Sequence, residues 1–206
     1  MGFNAENTLF ADCSCPDEIN HDDPLEDITS LMATRWGEMF PLGGLAGFPF
    51  TGKTGWGAFS SHVPEDGHIV VLFAPHVGVD FEGNVGKVTR EGQKHASSAC
   101  GAAIGALAAI QKDPNAANFL NGYRDHQMDC IKHLLAEHTD SIASKENEQA
   151  ALVFKMYEIL YQFLDEILHL NWQGPNSKLV LLGGIMINCD GDGTDRFLPL
   201  KLEMRK

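Results

Sequence analysis

Two apolar runs bounded by turn residues predict buried strands in this chain. The first, Ile69 to Ala74, follows the turn sequence Pro64-Glu65-Asp66-Gly67, and the second extends from Leu179 to Asn188. Continuous apolar runs of this length are typical of strands that are buried on both faces. We therefore predict strands at 68–74 and 179–188. Further strands are predicted at about 8–13, at 58–62, which the turn would pair with 68–74, and near 197–202.

Apolar residues at steps of three and four predict the helices. The spacing is clearest between Ala151 and Ile167, and Asp23 followed by Pro24 is typical of a helix start. Helices are predicted at 23–36, 96–111, 115–138 and 144–170.

Strands and helices interleave along the chain, and no linker separates two parts. The segment 41–57 is rich in glycine and is predicted to be an irregular loop. The pattern predicts one α/β domain over residues 1–206, with a central sheet flanked by helices. A chain of 206 residues is long enough to bury a substantial core.

Charge and cysteine content exclude several classes of partner and compartment. The formal net charge of −13 argues against a nucleic acid or an anionic membrane as partner. No apolar run approaches the roughly 20 residues of a membrane span, and the first residues do not resemble a signal peptide. The odd number of cysteines, five, favours an intracellular protein with reduced thiols.

The segment Gly47–Thr54 matches the phosphate-binding pattern G-x-x-x-x-G-K-[ST]. Such a loop requires a strand before it and a helix after it, because the helix N-terminus holds the phosphates. Neither element is predicted here, and Pro49 lacks an amide donor. We therefore reject a nucleotide site and interpret the segment as a loop that lines a pocket or an interface.

Cys15, His76 and Cys100 each lie where an apolar run meets a turn or a helix start. Two thiolates and one imidazole are zinc ligands, and a fourth position left open is typical of a catalytic site. Zinc with an open position lowers the pKa of bound water to about 7 and so provides a hydroxide nucleophile. Cys13 and Cys189 remain alternative ligands on spacing alone.

Two aspartates lie close to these candidate ligands. Asp17, two residues after Cys15, could accept a hydrogen bond from the hydroxide and orient it. Asp80, four residues after His76, could fix the tautomer of the imidazole.

Several blocks of the sequence together resemble one known family. They include Cys15-Pro16-Asp17-Glu18-Ile19-Asn20, Ala74-Pro75-His76-Val77-Gly78-Val79-Asp80 and Cys100-Gly101-Ala102-Ala103, with further matches at 7–11, 42–50, 183–185 and 187–188. The chain resembles the limiting-CO2-inducible protein B/C family, which includes the theta-class carbonic anhydrases. The blocks occur in order and cover nearly the whole chain.

The resemblance implies a fold close to that of the β-class carbonic anhydrases, a homodimer, and a zinc ion held by Cys15, His76 and Cys100. It implies that Asp17 takes the place of a catalytic aspartate. The β-class arginine two residues after that aspartate is replaced by Ile19, and we expect Arg35 to be the arginine that pairs with Asp17. Cytoplasm or plastid stroma is the expected compartment.

The function expected from this resemblance is zinc-dependent interconversion of CO2 and bicarbonate. Phe48 and Phe50 are candidate walls of the CO2 pocket, and His62 and His21 are candidate proton shuttles, since the usual pKa of histidine lies near neutrality. The family also includes members without hydratase activity. The alternative is therefore a catalytically silent, zinc-bearing scaffold or regulatory protein of inorganic-carbon uptake.

Overall fold

A six-stranded, mostly parallel sheet forms the centre of the computed structural model, which describes residues 2–21, 27–118, 124–168, 176–190 and 195–205. The strands are β1 (Thr8–Ser14), β2 (Met39–Pro41), β3 (His68–Ala74), β4 (His76–Val79), β7 (Lys178–Cys189) and β8 (Arg196–Arg205). Two short strands, β5 (Lys87–Val88) and β6 (Ser97–Ser98), form a separate antiparallel ribbon.

The long strand β7 organises this sheet. It pairs in parallel with β3 along its first half and with β4 near its end, so that β3 and β4 lie one after the other along the same side of β7. The antiparallel strand β8 lies along the other side. Beyond β3, the order continues through β1 to β2, both parallel. The carboxyl ends of β1 and β3 therefore meet at one edge of the sheet.

Helices cover both faces of the sheet. They are α1 (Ile28–Trp36), α2 (Gly52–Ser60), α3 (Gly101–Lys112), α4 (His126–Leu135), α5 (Thr139–Ala143) and α6 (Glu148–Leu168). The main core lies between the sheet and the face of α6 that carries Leu160 and Leu164, and Phe73 of β3 points into it. Leu72, on the opposite face of β3, packs beneath α1. Alternation along β3 thus fills both layers. Among the described residues, no helix is long and apolar enough to cross a membrane.

The α/β class and most of the predicted strands are confirmed. Strands form at 8–14, 68–74 and 178–189, and the turn before β3 is closed by a hydrogen bond of 2.8 Å from the Gly67 amide to the Pro64 carbonyl. The last strand, β8, is longer than predicted. Within the predicted helix at 96–111, residues 97–98 belong to β6, and α3 begins only at Gly101.

The predicted helices at 115–138 and 144–170 differ in their limits. The structure has a short 3-10 helix at Pro114–Ala117, then α4, then a second 3-10 helix at Ala136–His138. The last of the predicted helices begins at Glu148. For the first predicted helix, Asp23 and Pro24 lie outside the described residues, and α1 ends at Trp36 as predicted.

The strand predicted at 58–62 is wrong, because residues 58–60 are the last residues of α2 and residues 61–62 form the turn that follows it. Trp56, Phe59 and Ser60 are buried, and their spacing of three and four residues is that of a helix face. The prediction of an irregular loop over 41–57 is correspondingly wrong from Gly52 onward.

The rejection of a phosphate loop stands, but for a different reason. Both flanking elements exist, since β2 precedes the motif and α2 follows it. However, the amides of Gly47, Phe48 and Gly52 already donate to carbonyls of the same loop, at 2.9, 3.2 and 2.8 Å. Phe48 is fully buried in the core. These amides are therefore unable to hold a phosphate.

Candidate metal centre

The carboxyl ends of β1 and β3 bring two of the predicted ligands together. Ser14 of β1 pairs with Ala74 of β3, Cys15 follows Ser14 directly, and His76 opens β4 two residues beyond Ala74. Ligand sites in open α/β sheets lie at such carboxyl ends. Cys100 reaches the same point as the N-cap residue of α3, directly before Gly101.

The geometry of these three side chains fits a tetrahedral metal ion. Their ligand atoms all lie within 4.8 Å of one another, and the two sulfurs are 3.9 Å apart. A Zn–S distance of about 2.3 Å places two thiolates about 3.8 Å apart at the corners of a tetrahedron. All three residues are buried, with at most 4% of their surface exposed.

Two buried polar atoms at this point have no hydrogen-bond partner within the described part of the chain. They are Nε2 of His76 and Oδ1 of Asp17. A buried polar atom without a partner is costly. Because an imidazole nitrogen aimed at two sulfurs is typical of a metal ligand, the residues present fit a bound cation.

The surroundings shift the pKa values of the two thiols in opposite directions. The hydrogen bond to Cys100, together with burial, raises the pKa of Cys15, whereas the hydrogen bond from Cys15 lowers the pKa of Cys100. The amides of Ala103 and Ala102, at the start of α3, lower the pKa of Cys100 further. The helix N-terminus therefore stabilises the Cys100 thiolate.

Asn188 at the end of β7 fixes the orientation of His76. Nδ1 of His76 lies 2.9 Å from Oδ1 of Asn188, which assigns the proton to Nδ1 and leaves Nε2 free for a metal. The Asn188 amide donates in turn to Asp195 at 2.7 Å and to the Ile19 carbonyl at 3.1 Å. Burial lowers the pKa of His76, but the nearby Cys15 thiol, the hydrogen bond with Asn188 and the Asp17 carboxylate outweigh this and leave the pKa raised.

The supporting role predicted for Asp80 is wrong. Its carboxylate accepts the amides of Glu82 and Asn84, at 3.0 and 2.8 Å, and so closes its own turn. Asp80 lies directly after the end of β4 and faces its own loop. The imidazole of His76 instead faces the neighbouring strand β7.

Arg90, in the turn between β5 and β6, is the arginine that holds Asp17. Its Nη2 lies 2.7 Å from Oδ2 of Asp17, and its Nε lies 3.0 Å from Glu18. The predicted pair of Asp17 and Arg35 is absent. Arg35 is exposed at the end of α1, and its guanidinium lies 4.5 Å from the ring of Trp36. Favourable stacking and the helix C-terminus account for its position.

The alternative ligands do not reach the cluster. Cys13 is fully buried in the core within β1, where it pairs with Phe73, and its sulfur is not part of the group of ligand atoms that lie within 4.8 Å of one another. The sulfur of Cys189 lies 4.0 Å from the carbonyl of Ile187 on its own strand.

An open pocket of about 220 Å³ lies in front of the cluster. Cys15, Asp17, Arg90 and Cys100 give it a polar side, and Leu45 and Ala102 contribute apolar surface. The predicted walls Phe48 and Phe50 do not line it; their rings stack on each other, 5.7 Å apart, and Phe48 lies in the core. The predicted shuttles do not line it either: His21 contacts Thr29 at 3.1 Å, and His62 packs 6.0 Å from the ring of Phe40.

Two residues that support the cluster are not indicated by the sequence pattern. Asn188 lies inside a block that carries the family resemblance, so its position, though not its role, was visible. Arg90 lies in a polar segment 73 residues from Asp17, and no local pattern marks it.

The fold is an α/β fold that matches those of a β-carbonic anhydrase and of a limiting CO2-inducible protein. A tetrameric β-carbonic anhydrase from Sordaria macrospora superimposes with a TM-score of 0.52 over 93% of this chain and 81% of its own, at 14% identity, which concerns the fold alone. The crystal structure of the limiting CO2-inducible protein LCIB gives 0.74 at 20% identity, covering 98% and 81%.

The family model described as limiting CO2-inducible proteins B/C beta carbonic anhydrases matches residues 1–206, and the chain belongs to this family. PtLCIB4, a homolog of LCIB, is 29% identical, with a TM-score of 0.88 over 99% of this chain and 83% of its own. No curated protein sequence is significantly similar to the chain.

Proposed function

We propose that this protein is a zinc-dependent carbonic anhydrase that interconverts CO2 and bicarbonate. The observation that carries the proposal is the convergence of Cys15, His76 and Cys100 beside an aspartate whose second oxygen is already held by Arg90. Membership of the family supports the same activity.

Cys15, His76 and Cys100 would hold the zinc ion. When bound, zinc acts as a Lewis acid that makes a nucleophile available from water at neutral pH. Asn188 keeps the imidazole in the tautomer that presents Nε2, and the start of α3 stabilises the thiolate of Cys100. The protein thus supplies two anionic ligands and one neutral ligand in a fixed arrangement.

Asp17 has one oxygen for the reaction and one for its own positioning. Oδ2 accepts from Arg90, so that Oδ1, which has no partner among the described residues, is free to accept a hydrogen bond from the water consumed in hydration. Because Oδ2 also lies 3.8 Å from Nε2 of His76, a carboxylate released by Arg90 could turn toward the metal position. Arg90 therefore keeps Asp17 as an orienting group and prevents it from closing the site.

The pocket suits a small, uncharged and linear substrate. The apolar surface of Leu45 and Ala102 favours CO2, and the guanidinium of Arg90 favours the bicarbonate anion at the same mouth. No histidine is among the described residues that line this pocket. We therefore expect the proton to pass directly to solvent or buffer.

The decisive experiment combines metal analysis with a CO2 hydration assay on the purified protein. We expect one zinc per chain and hydration that is abolished by His76→Ala and Cys100→Ala. Cys13→Ala is the matched control, because Cys13 is a buried cysteine two residues from Cys15 that lies outside the cluster. Wild-type protein that binds one zinc without hydrating CO2 would support the silent scaffold instead.

The family resemblance also supports a homodimer, which we include in the proposal. Light scattering coupled to size-exclusion chromatography should give a mass twice that of the 22.5 kDa chain. A monomer that retains full CO2 hydration activity would overturn the proposed homodimer but not the proposed activity.

A further inference from the structure

The residue next to Arg90 is held by a carboxylate from the end of β7. The amide of Thr89 donates to Oδ1 of Asp190, and the Thr89 hydroxyl donates to Oδ2 at 2.9 Å. Asp190 is 8% exposed, and its own amide donates to the Val79 carbonyl of β4 at 3.1 Å. Both oxygens of a buried carboxylate are thus directed at a single residue.

The ribbon that carries Arg90 needs such an anchor. Its strands β5 and β6 have two residues each, and residues 91–96 between them are all exposed. A two-stranded ribbon of this size is not stable alone. The contacts of Arg90 within the ribbon, such as that to Ser97 at 2.6 Å, shape the turn but do not join it to the sheet.

The end of β7 therefore contacts both the candidate metal ligand His76 and the ribbon that carries Arg90. Asn188 holds His76, and Asp190, two residues further and on the same side of the extended chain, holds Thr89. Cys189, between them, points away. Placement of the imidazole and placement of the guanidinium thus depend on one short segment of backbone.

We propose that Asp190 is a positioning residue for Arg90: it fixes Thr89, and through Thr89 it holds the guanidinium against Asp17. The inference rests on the proposed function for its catalytic meaning, since Arg90 matters there through Asp17. Its structural content, the placement of Arg90, is tested without any assay of activity.

The test measures the reaction of Arg90 with phenylglyoxal, followed by mass spectrometry of the peptide that contains it. In the wild-type protein Arg90 is 17% exposed and engaged with Asp17 and Glu18, so it should react slowly. Asp190→Ala should accelerate the modification about tenfold, because two hydrogen bonds to a charged group are lost. Asp190→Asn should restore slow modification, because the amide oxygen accepts from the Thr89 amide and the amide nitrogen donates to its hydroxyl.

Two further variants test whether faster modification of Arg90 comes from a general loosening of the fold. Thr89→Val removes only the hydroxyl bond and should give an intermediate rate. Asp80→Ala removes a carboxylate of similar burial that accepts the amides of Glu82 and Asn84 in a loop of its own, away from Thr89 and Arg90, and it should leave the rate unchanged. Equal rates in the wild type and Asp190→Ala, an Asp190→Asn rate as fast as that of Asp190→Ala, or acceleration by Asp80→Ala would each overturn the proposal.

A double-mutant cycle then connects the placement of Arg90 to catalysis. If Asp190 acts through Arg90, the double variant Asp190→Ala/Arg90→Ala should have the same kcat/KM as Arg90→Ala alone. Multiplied losses would overturn the positioning role. If the protein proves inactive, the phenylglyoxal result still decides the placement, so the failure of this inference and the failure of the proposed function can be told apart.

Discussion

Nη2 of Arg90 lies 2.7 Å from Oδ2 of Asp17, although 73 residues separate the two in the chain. The contact joins the segment that follows β1 to the turn of the β5–β6 ribbon, across the mouth of the pocket. It leaves Oδ1 of Asp17 without a hydrogen-bond partner in the part of the chain that the structure describes. The arginine missing after Asp17 in sequence is thus supplied from a different element.

Replacement of Arg90 should impair catalysis more than replacement of Arg35. Without the guanidinium, Asp17 is free to turn toward the metal position, and we expect kcat/KM for CO2 hydration to fall about 10- to 100-fold in Arg90→Ala. Arg35→Ala should remain near the wild-type value, because Arg35 is exposed and its guanidinium lies against the ring of Trp36. Stopped-flow hydration assays of both variants check this, and the opposite ranking would contradict the assignment of Arg90.

Loss of Asn188 should weaken metal binding. The imidazole of His76 would lose the partner of Nδ1, and with it the fixed tautomer and orientation, so zinc affinity should fall about 10- to 100-fold in Asn188→Ala. Competition with a chromogenic chelator measures this affinity. Asn84→Ala is the control, since Asn84 contacts Asp80 and Glu82 outside the cluster. Unchanged affinity in Asn188→Ala would show that His76 needs no such support.

The buried carboxyl of Asp12 should make the free energy of unfolding fall as the pH rises from about 4 to about 6. Burial raises the pKa of Asp12 to about 6, against the opposing hydrogen bonds from Ser14. Since the folded state then holds the proton more tightly than the unfolded state, this contribution to stability is complete below the unfolded pKa and is lost as the pH rises through the folded pKa. The loss amounts to about 3 kcal/mol at most.

Urea unfolding at a series of pH values measures the effect of Asp12. In Asp12→Asn this group no longer titrates, so the difference in unfolding free energy between variant and wild type should shift in favour of the variant as the pH rises to about 6. A difference that stays constant with pH would show that the pKa of Asp12 is not raised in the folded protein.

Gly43 should tolerate no side chain, whereas Gly57 should accept one. A Cβ at Gly43 would lie 2.2 Å from the Ser14 carbonyl oxygen, on the backbone that leads into Cys15, so Gly43→Ala should cost about 1–3 kcal/mol or more. At Gly57, within α2, a Cβ meets nothing within 4 Å, and Gly57→Ala should stabilise by about 0.5–1 kcal/mol. Thermal unfolding distinguishes the two, and similar effects at both positions would contradict the close approach at Gly43.

The sequence allowed prediction of the features that depend on nearby residues. The apolar runs of β3 and β7 and the turn before β3 were recognisable because burial and turn chemistry leave local patterns. The helix α2 was missed because its glycines hide a helical face formed by Trp56 and Phe59. Glycine weakens a helix in isolation, and only packing against the core overrides this preference.

The candidate site likewise contains residues that the sequence indicates and residues that it does not. Cys15, His76 and Cys100 were selected by their chemistry and by the family resemblance, and the structure brings them together. Arg90 and Asn188 were not assigned, because their roles arise from the parallel pairing of β7 with β4 and from the placement of the ribbon. Such long-range contacts leave no periodicity in the chain.

The most direct measurement of the central claim is the isotope exchange between CO2 and water, followed by mass spectrometry, on protein of known zinc content. We predict exchange well above the buffer rate, in proportion to bound zinc, that is retained in Cys13→Ala and lost in Cys100→Ala. Exchange at the buffer rate in wild-type protein carrying one zinc per chain would contradict the account.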